Sequence, residues 1–238
     1  MKSDKNIPLK EHFILCKPRD IVYGDFYLVN KINNFIFVAV ADSTGHGVPG
    51  AFMSMLGISL LTQVINNHIR KPYQTKLIAN EILNDLRDNI FKALKQEKEQ
   101  DSNKDGMDIA LCLIDNNSNL MQFAGAYNLA IIIRENQLTE IQADKMPIGV
   151  YIKDTKPFKN NEFQIEENDK IYLFSDVYLE QFWEEEKMKF SKKRFKNLLL
   201  EINNLSMEKQ FKILEKTIVE WKGNLKQTDD ILVLGFKI

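Results

Sequence analysis

Cysteine is scarce in this chain. Two thiols, Cys16 and Cys112, stand in 238 residues, far apart, with no spacing that suggests a disulfide framework. Cys112 lies inside an apolar run and reads as a buried, reduced thiol. A surplus of charge is missing too: 32 basic residues face 33 acidic ones, for a formal net charge of -1. That balance gives no footing for nucleic acid or an anionic membrane as partner. The first residues, MKSDKNIPLKEHF, lack the apolar core of a signal peptide. The longest apolar stretch, around Ala51–Ile65, is interrupted by Ser54, Gly57, Ser59, Thr62 and Gln63, so no membrane insertion is expected. The expected location is the cytoplasm. Internal repeats and low-complexity segments are absent.

What remains is an ordinary globular composition, 44% hydrophobic and 27% charged, with enough length for a sizeable core. The run FIFVAVA at 35–41 reads as a strand buried on both faces, ending at Asp42. The glycine-rich STGHGVPG follows, then a long, nearly all-round apolar helix with Pro49 near its start. Residues 75–95 predict an amphipathic helix, with Ile78, Ile82, Leu86, Ile90 and Leu94 in steps of four. A polar loop, EKEQDSNKDG, comes next. Short strands at 107–114, 120–124, 129–134 and 138–141, joined by turns, suggest one antiparallel meander. A strand at 170–174 ends at Ser175–Asp176. Helices over 192–202 and 206–222, and a last strand at 231–238, complete the chain. The steady βαβ rhythm of a parallel sheet is missing, so the fold class is α+β, with helices covering antiparallel sheets.

Four segments place an aspartate at the edge of an apolar run: Asp25, Asp42, Asp176, and the pair Asp229–Asp230. Turn chemistry alone explains any one of them. If the strand ends converge, the carboxylates repel one another and raise each other's pKa. A hard divalent cation such as Mg²⁺ or Mn²⁺ relieves that repulsion, because it takes oxygen ligands and keeps several waters. Zinc would need a His or Cys cluster, and the chain has none.

The segments PRDIVYGDFYLV, VAVADSTGHGVPGAFMSMLG, DGMDIALCLID, QFAGAYNLAIIIR, ADKMPIGVY, IYLFSD and QTDDILVLGFKI, in that order, resemble the SpoIIE-like branch of the PPM phosphatases. The resemblance runs from about Leu9 to Ile238, so residues 1–238 read as one domain with 1–8 flexible. It implies a four-layer αββα sandwich with two Mg²⁺ or Mn²⁺ ions at one end. It also implies hydrolysis of phosphoserine or phosphothreonine on a protein by a metal-activated water. By resemblance, Asp42 bridges the ions and the backbone carbonyl of Ser43 completes one shell. Asp176 and Asp229 ligate the second ion, Asp25 holds it through water, and Asp230 hydrogen-bonds nearby. Asp42 and Asp25 are the expected catalytic residues. His46, four residues past Asp42, either faces the site or stabilises its loop; His12 and His68 read as structural or surface residues. The implied client is a regulatory phosphoprotein of the anti-sigma factor antagonist type. Regulation would come from another protein, from a homodimer, or not at all.

One stretch departs from that pattern. Where the family has Ser-Asp-Gly-Tyr and then Asp-Gln-Phe-Gly-Gly, this chain reads SDVYLEQFWEEEKMKF. Val177 replaces a glycine, Glu180 an aspartate, and Trp183–Glu184 a glycine pair. A left-handed backbone at Val177 would cost on the order of 1–3 kcal/mol; otherwise its methyls would crowd the metal shell. The sequence therefore supports two readings: an active phosphatase with an altered segment after Asp176, or a pseudophosphatase of the same fold that binds a partner.

Overall fold

In the computed structural model, residues 7–70, 76–96, 105–151, 156–183 and 188–238 are described. The FIFVAVA run forms the middle of β3 (Phe35–Ser43) and is buried almost throughout. Its side chains alternate between two cores, as strand geometry requires. Phe37, Ala39 and Ala41 face a helix-covered core, and Ile36, Val38 and Val40 face a second core on the other side. A strand with apolar residues on both faces must lie in an inner layer, and that position fixes the architecture.

β3 sits in a six-stranded sheet beside β2 (Phe26–Ile32), β4 (Gly106–Asp115), β5 (Leu120–Ala126) and β9 (Asn161–Gln164), in the order β2-β3-β4-β5-β9. The two-residue β8 (Ile148–Gly149) pairs with β4. A five-stranded sheet has the order β1-β11-β10-β6-β7, from β1 (Glu11–Lys17), β6 (Ala130–Arg134), β7 (Gln137–Ile141), β10 (Lys170–Phe174) and β11 (Ile231–Lys237). Every paired strand in both sheets is antiparallel. The sheets meet over Val38, Val40, Cys112 and Phe123 on one side and Ile171, Leu173, Leu232, Leu234 and Phe236 on the other. Cys112 is a buried free thiol, and burial raises its pKa. Ile7 packs against this core; residues 1–6, part of the stretch expected to be flexible, lie outside the described residues.

Helices α1 (Gly47–Arg70) and α2 (Ala79–Ala93) cover the six-stranded sheet through Leu61, Val64, Ile65, Ile82, Leu83, Leu86 and Ile90. By length and composition alone α1 is long and apolar enough to cross a membrane. Here one face packs into the core, while Val48, Phe52 and Met55 are exposed. Buried His68 of α1 meets Asp85 of α2 at 2.7 Å, the structural role expected of it. On the far side, α3 (Val177–Glu180), α4 (Lys192–Ile202) and α5 (Met207–Lys222) cover the five-stranded sheet. Ser206 caps α5, its hydroxyl accepting from Lys209 N. The layers run helix, sheet, sheet, helix, as expected.

The single meander is corrected. β4 and β5 pair in one sheet, but β6 and β7 pair in the other. The chain crosses between sheets at Tyr127, in the left-handed region at φ 56°, and Asn128. Strand patterning reports which residues are buried, not which sheet receives them.

Candidate metal centre

Antiparallel pairing brings the acidic residues to one end of the sandwich. Phe26 pairs with Ala41, so Asp25, just before β2, adjoins Asp42 near the end of β3. Asp42 stands directly opposite Asp108 of β4. In the other sheet Ser175 N donates to Leu232 O at 2.9 Å, which sets Asp176, just past β10, beside Asp229 and Asp230, just before β11.

Asp230 joins the two sheets. It is buried, and its carboxylate accepts from Arg19 N at 2.7 Å, Gly24 N at 2.5 Å and Asp25 N at 3.3 Å. A carboxylate gathering three amides holds the 19–25 segment against β11. The glycine-rich loop after Asp42 closes on the same segment. A Cβ on Gly50 would lie 2.2 Å from Gly45 O and 3.1 Å from Gly24 Cα, so only glycine permits this approach. Ser54 Oγ donates to Gly24 O at 2.5 Å and locks it.

The carboxyls feel one another. Burial, then the charge of Asp42, push the Asp25 pKa far up. Burial, then Asp176, Asp229 and Asp108, push Asp42 up. Burial and Asp176 push Asp108 to about 7. Asp176 reaches the surface but is raised by burial, Glu180 and Asp229. Asp25 Oδ2 and Ser43 Oγ are buried with no hydrogen-bond partner among the described residues. Among those residues no three His, Cys, Asp or Glu side chains close into a tight ligand shell. The donor set gathered at this end is oxygen-only. It fits Mg²⁺ or Mn²⁺, which take one or two direct carboxylates and fill the rest of the shell with water. It does not fit zinc.

The expected residues Asp25, Asp42, Ser43, Asp176, Asp229 and Asp230 thus share one end of the fold. Asp108 joins them and was not singled out from the sequence. Its signal was a lone carboxylate inside the apolar run MDIALCLI. His46 is on the rim, about half exposed, with Nδ1 3.2 Å from Asp20 Oδ2. His12 bonds Leu9 O at 3.0 Å. The strained Val177 is corrected. It begins α3 in helical backbone, is absent from the left-handed residues, and is buried among Phe174, Tyr178 and Phe195. Its methyls fill the far core rather than the metal end. Glu180 pairs with Lys189 at 2.9 Å, and Trp183 stacks on Trp221. Residues 184–187, with Glu184, lie outside the described residues.

A helix-sheet-sheet-helix sandwich with aspartates gathered at one end is the fold of PP2C-type (PPM) phosphatase domains. The stage II sporulation protein E (SpoIIE) family model matches residues 33–238, and this chain belongs to that family. The SiaA-PP2C domain of Pseudomonas aeruginosa is 27% identical, covering 95% of this chain and 85% of that one, with TM-score 0.82. The PP2C phosphatase domain and regulatory fragment of SpoIIE from Bacillus subtilis is 16% identical, covering 96% and 63%, with TM-score 0.75. The catalytic domain of the serine/threonine phosphatase PstP, in complex with two manganese ions, is 13% identical, covering 95% and 96%, with TM-score 0.66. No functionally curated protein matches in sequence.

Proposed function

We propose that this chain is a metal-dependent protein phosphatase acting on phosphoserine or phosphothreonine. Two Mg²⁺ or Mn²⁺ ions would be held by Asp25, Asp42, the Ser43 carbonyl, Asp176 and Asp229, with Asp108 beside them. The observation that carries the reading is the convergence of Asp25, Asp42, Asp108, Asp176 and Asp229 at one end of the sandwich, where burial and neighbouring carboxylates raise the first four. Such a cluster is costly without a cation to share. It would also repel a phosphate monoester, so these residues suit the reaction only in their metal-bound form.

Bound ions of this kind lower the pKa of a coordinated water toward neutrality and offset charge on phosphoryl oxygens. The chain's own residues supply the frame. Asp230 fixes the backbone of Asp25, and the ladder across Asp42 and Asp108 fixes two more carboxylates. Cys112 is buried, and burial lifts the pKa of half-buried Cys16 to about 12. Neither thiol is an activated nucleophile, so direct attack by water on phosphorus is the simpler course. The pseudophosphatase reading drew on Val177, Glu180 and Trp183–Glu184 together; of these, Val177 sits in helical backbone within the core, and turnover decides between the two readings. The client is proposed to be a regulatory phosphoprotein of the anti-sigma factor antagonist type, in keeping with membership of the SpoIIE family.

The test is hydrolysis of p-nitrophenyl phosphate and a phosphoserine peptide, with and without Mn²⁺, beside Asp42→Asn. Manganese-dependent turnover, lost in the variant by about a hundredfold or more, is expected. Turnover no higher than the variant's would sink the proposal.

A further inference from the structure

Asp176 and Asp229 sit on neighbouring strands just where the ladder ends. Its last bonds are Ser175 N to Leu232 O at 2.9 Å and Leu232 N to Ser175 Oγ at 3.1 Å. Beyond them the two segments part, and each carries a carboxylate, Asp176 on one and Asp229 on the other. Like charges push such segments apart unless something ties them.

The tie is a side chain. Gln181, five residues past Asp176, is fully buried although polar. Its Oε1 accepts from Thr228 N at 3.2 Å, one residue before Asp229. Its Nε2 donates to Lys226 O at 3.4 Å. Its backbone is fixed as well. Gln181 N donates to Val177 O at 3.0 Å, closing α3, and Gln181 O accepts from Trp221 Nε1 of α5 and from Phe190 N, both at 3.0 Å. On the opposite side of the 226–229 segment, Arg19 Nη1 donates to Thr228 O at 3.0 Å. Gln227 Nε2 bonds both Lys17 O and Asp229 O at 2.8 Å. Thr228 is thus gripped by its N–H on the α3 side and by its C=O on the β1 side. Loss of the Gln181 grip would free the segment to swing away from Asp176.

We infer that Gln181 is a positioning residue that clamps the Asp229 segment to the helix after Asp176 and so sets the separation of those two carboxylates. The inference rests on the metal reading above for its consequence, but the clamp itself needs no metal. A residue that orients ligands without touching the ion changes metal affinity more than it changes the chemistry of the loaded site.

The experiment uses the full chain and Gln181→Met, which keeps the length of the side chain and removes the bonds its amide makes to Thr228, Lys226 and Phe182. Two quantities are measured: amide hydrogen exchange at Thr228 without metal, and the Mn²⁺ dissociation constant by electron paramagnetic resonance. Thr228 exchange should quicken by about tenfold or more, as expected when a local opening becomes easier. The Mn²⁺ dissociation constant should rise by about tenfold or more. Turnover at saturating Mn²⁺ should stay within about threefold of the parent, a split that a general loss of packing would not give. If Gln181→Met does not fold, Gln181→Glu, which retains the acceptor for Thr228 N–H, carries the same comparison with a smaller shift. Unchanged Thr228 exchange together with unchanged Mn²⁺ affinity would overturn the inference. If the parent protein itself binds no Mn²⁺, the metal reading fails, and the clamp is judged on Thr228 exchange alone.

Discussion

Asp42 of β3 lies directly opposite Asp108 of β4 in the antiparallel register. Like charges facing each other across a ladder are destabilising, and here both carboxyls are raised by burial as well. The pairing makes sense when a cation is the third partner, and it has consequences that are measurable without one.

The first concerns pH. In the unfolded chain these aspartates ionise near a pKa of ~3.9, while Asp108 in the fold is pushed to about 7. Through that window the folded protein holds protons that the unfolded chain has released, so stability falls as pH rises. In chelator, the protein should melt at a lower temperature at about pH 8 than at about pH 5. Asp108→Asn should raise the melting temperature at the higher pH, by about 2–4 °C for each kcal/mol of repulsion removed. Equal pH slopes for parent and variant would count against the cluster.

Asp230→Ala should be among the most damaging single changes at this end. It strands the amides of Gly24 and Asp25 and frees that of Arg19. A loss of about 3 kcal/mol is expected in urea denaturation, with weaker Mn²⁺ binding because Asp25 is no longer held.

Restoring the family's glycine at Val177 should not raise turnover. Val177 is helical and packed against Phe174 and Phe195. Val177→Gly removes buried methyls and puts glycine in a helix, at a cost of about 2 kcal/mol. Calorimetry and a turnover assay together check this; a large gain in turnover would show that Val177 does crowd the site.

His46→Ala should change turnover by less than about threefold, because an exposed pair such as His46–Asp20 contributes little. A loss of about a hundredfold would instead make His46 a participant in the chemistry.

The legible parts of the site were those that end a run. Asp42 and Asp176 stop strong strands and Asp229–Asp230 precede one, so the apolar pattern pointed at them. Asp108 was harder to see because it lies within β4, where a single carboxylate among buried residues looks like an outward-facing position; the register with Asp42 supplies its meaning. The apolar pattern assigns neither β1 nor β2, although the motif PRDIVYGDFYLV runs into β2. β2 is half-buried at a sheet edge, and its residues alternate weakly. The meander failed at Tyr127, where a left-handed residue sends the chain into the other sheet. Gln181 gave no local sign, since its partners lie at 226 and 228 and only the fold brings them near.

The central claim is that the carboxylates around Asp42 hold two divalent ions. Crystals grown with MnCl₂ and measured at the manganese absorption edge test it most directly. Two anomalous peaks flanking Asp42, one of them beside Asp176 and Asp229, are predicted, and both should vanish in Asp42→Asn. A carboxylate end without anomalous density at saturating manganese, in crystals of the parent protein, would contradict the account.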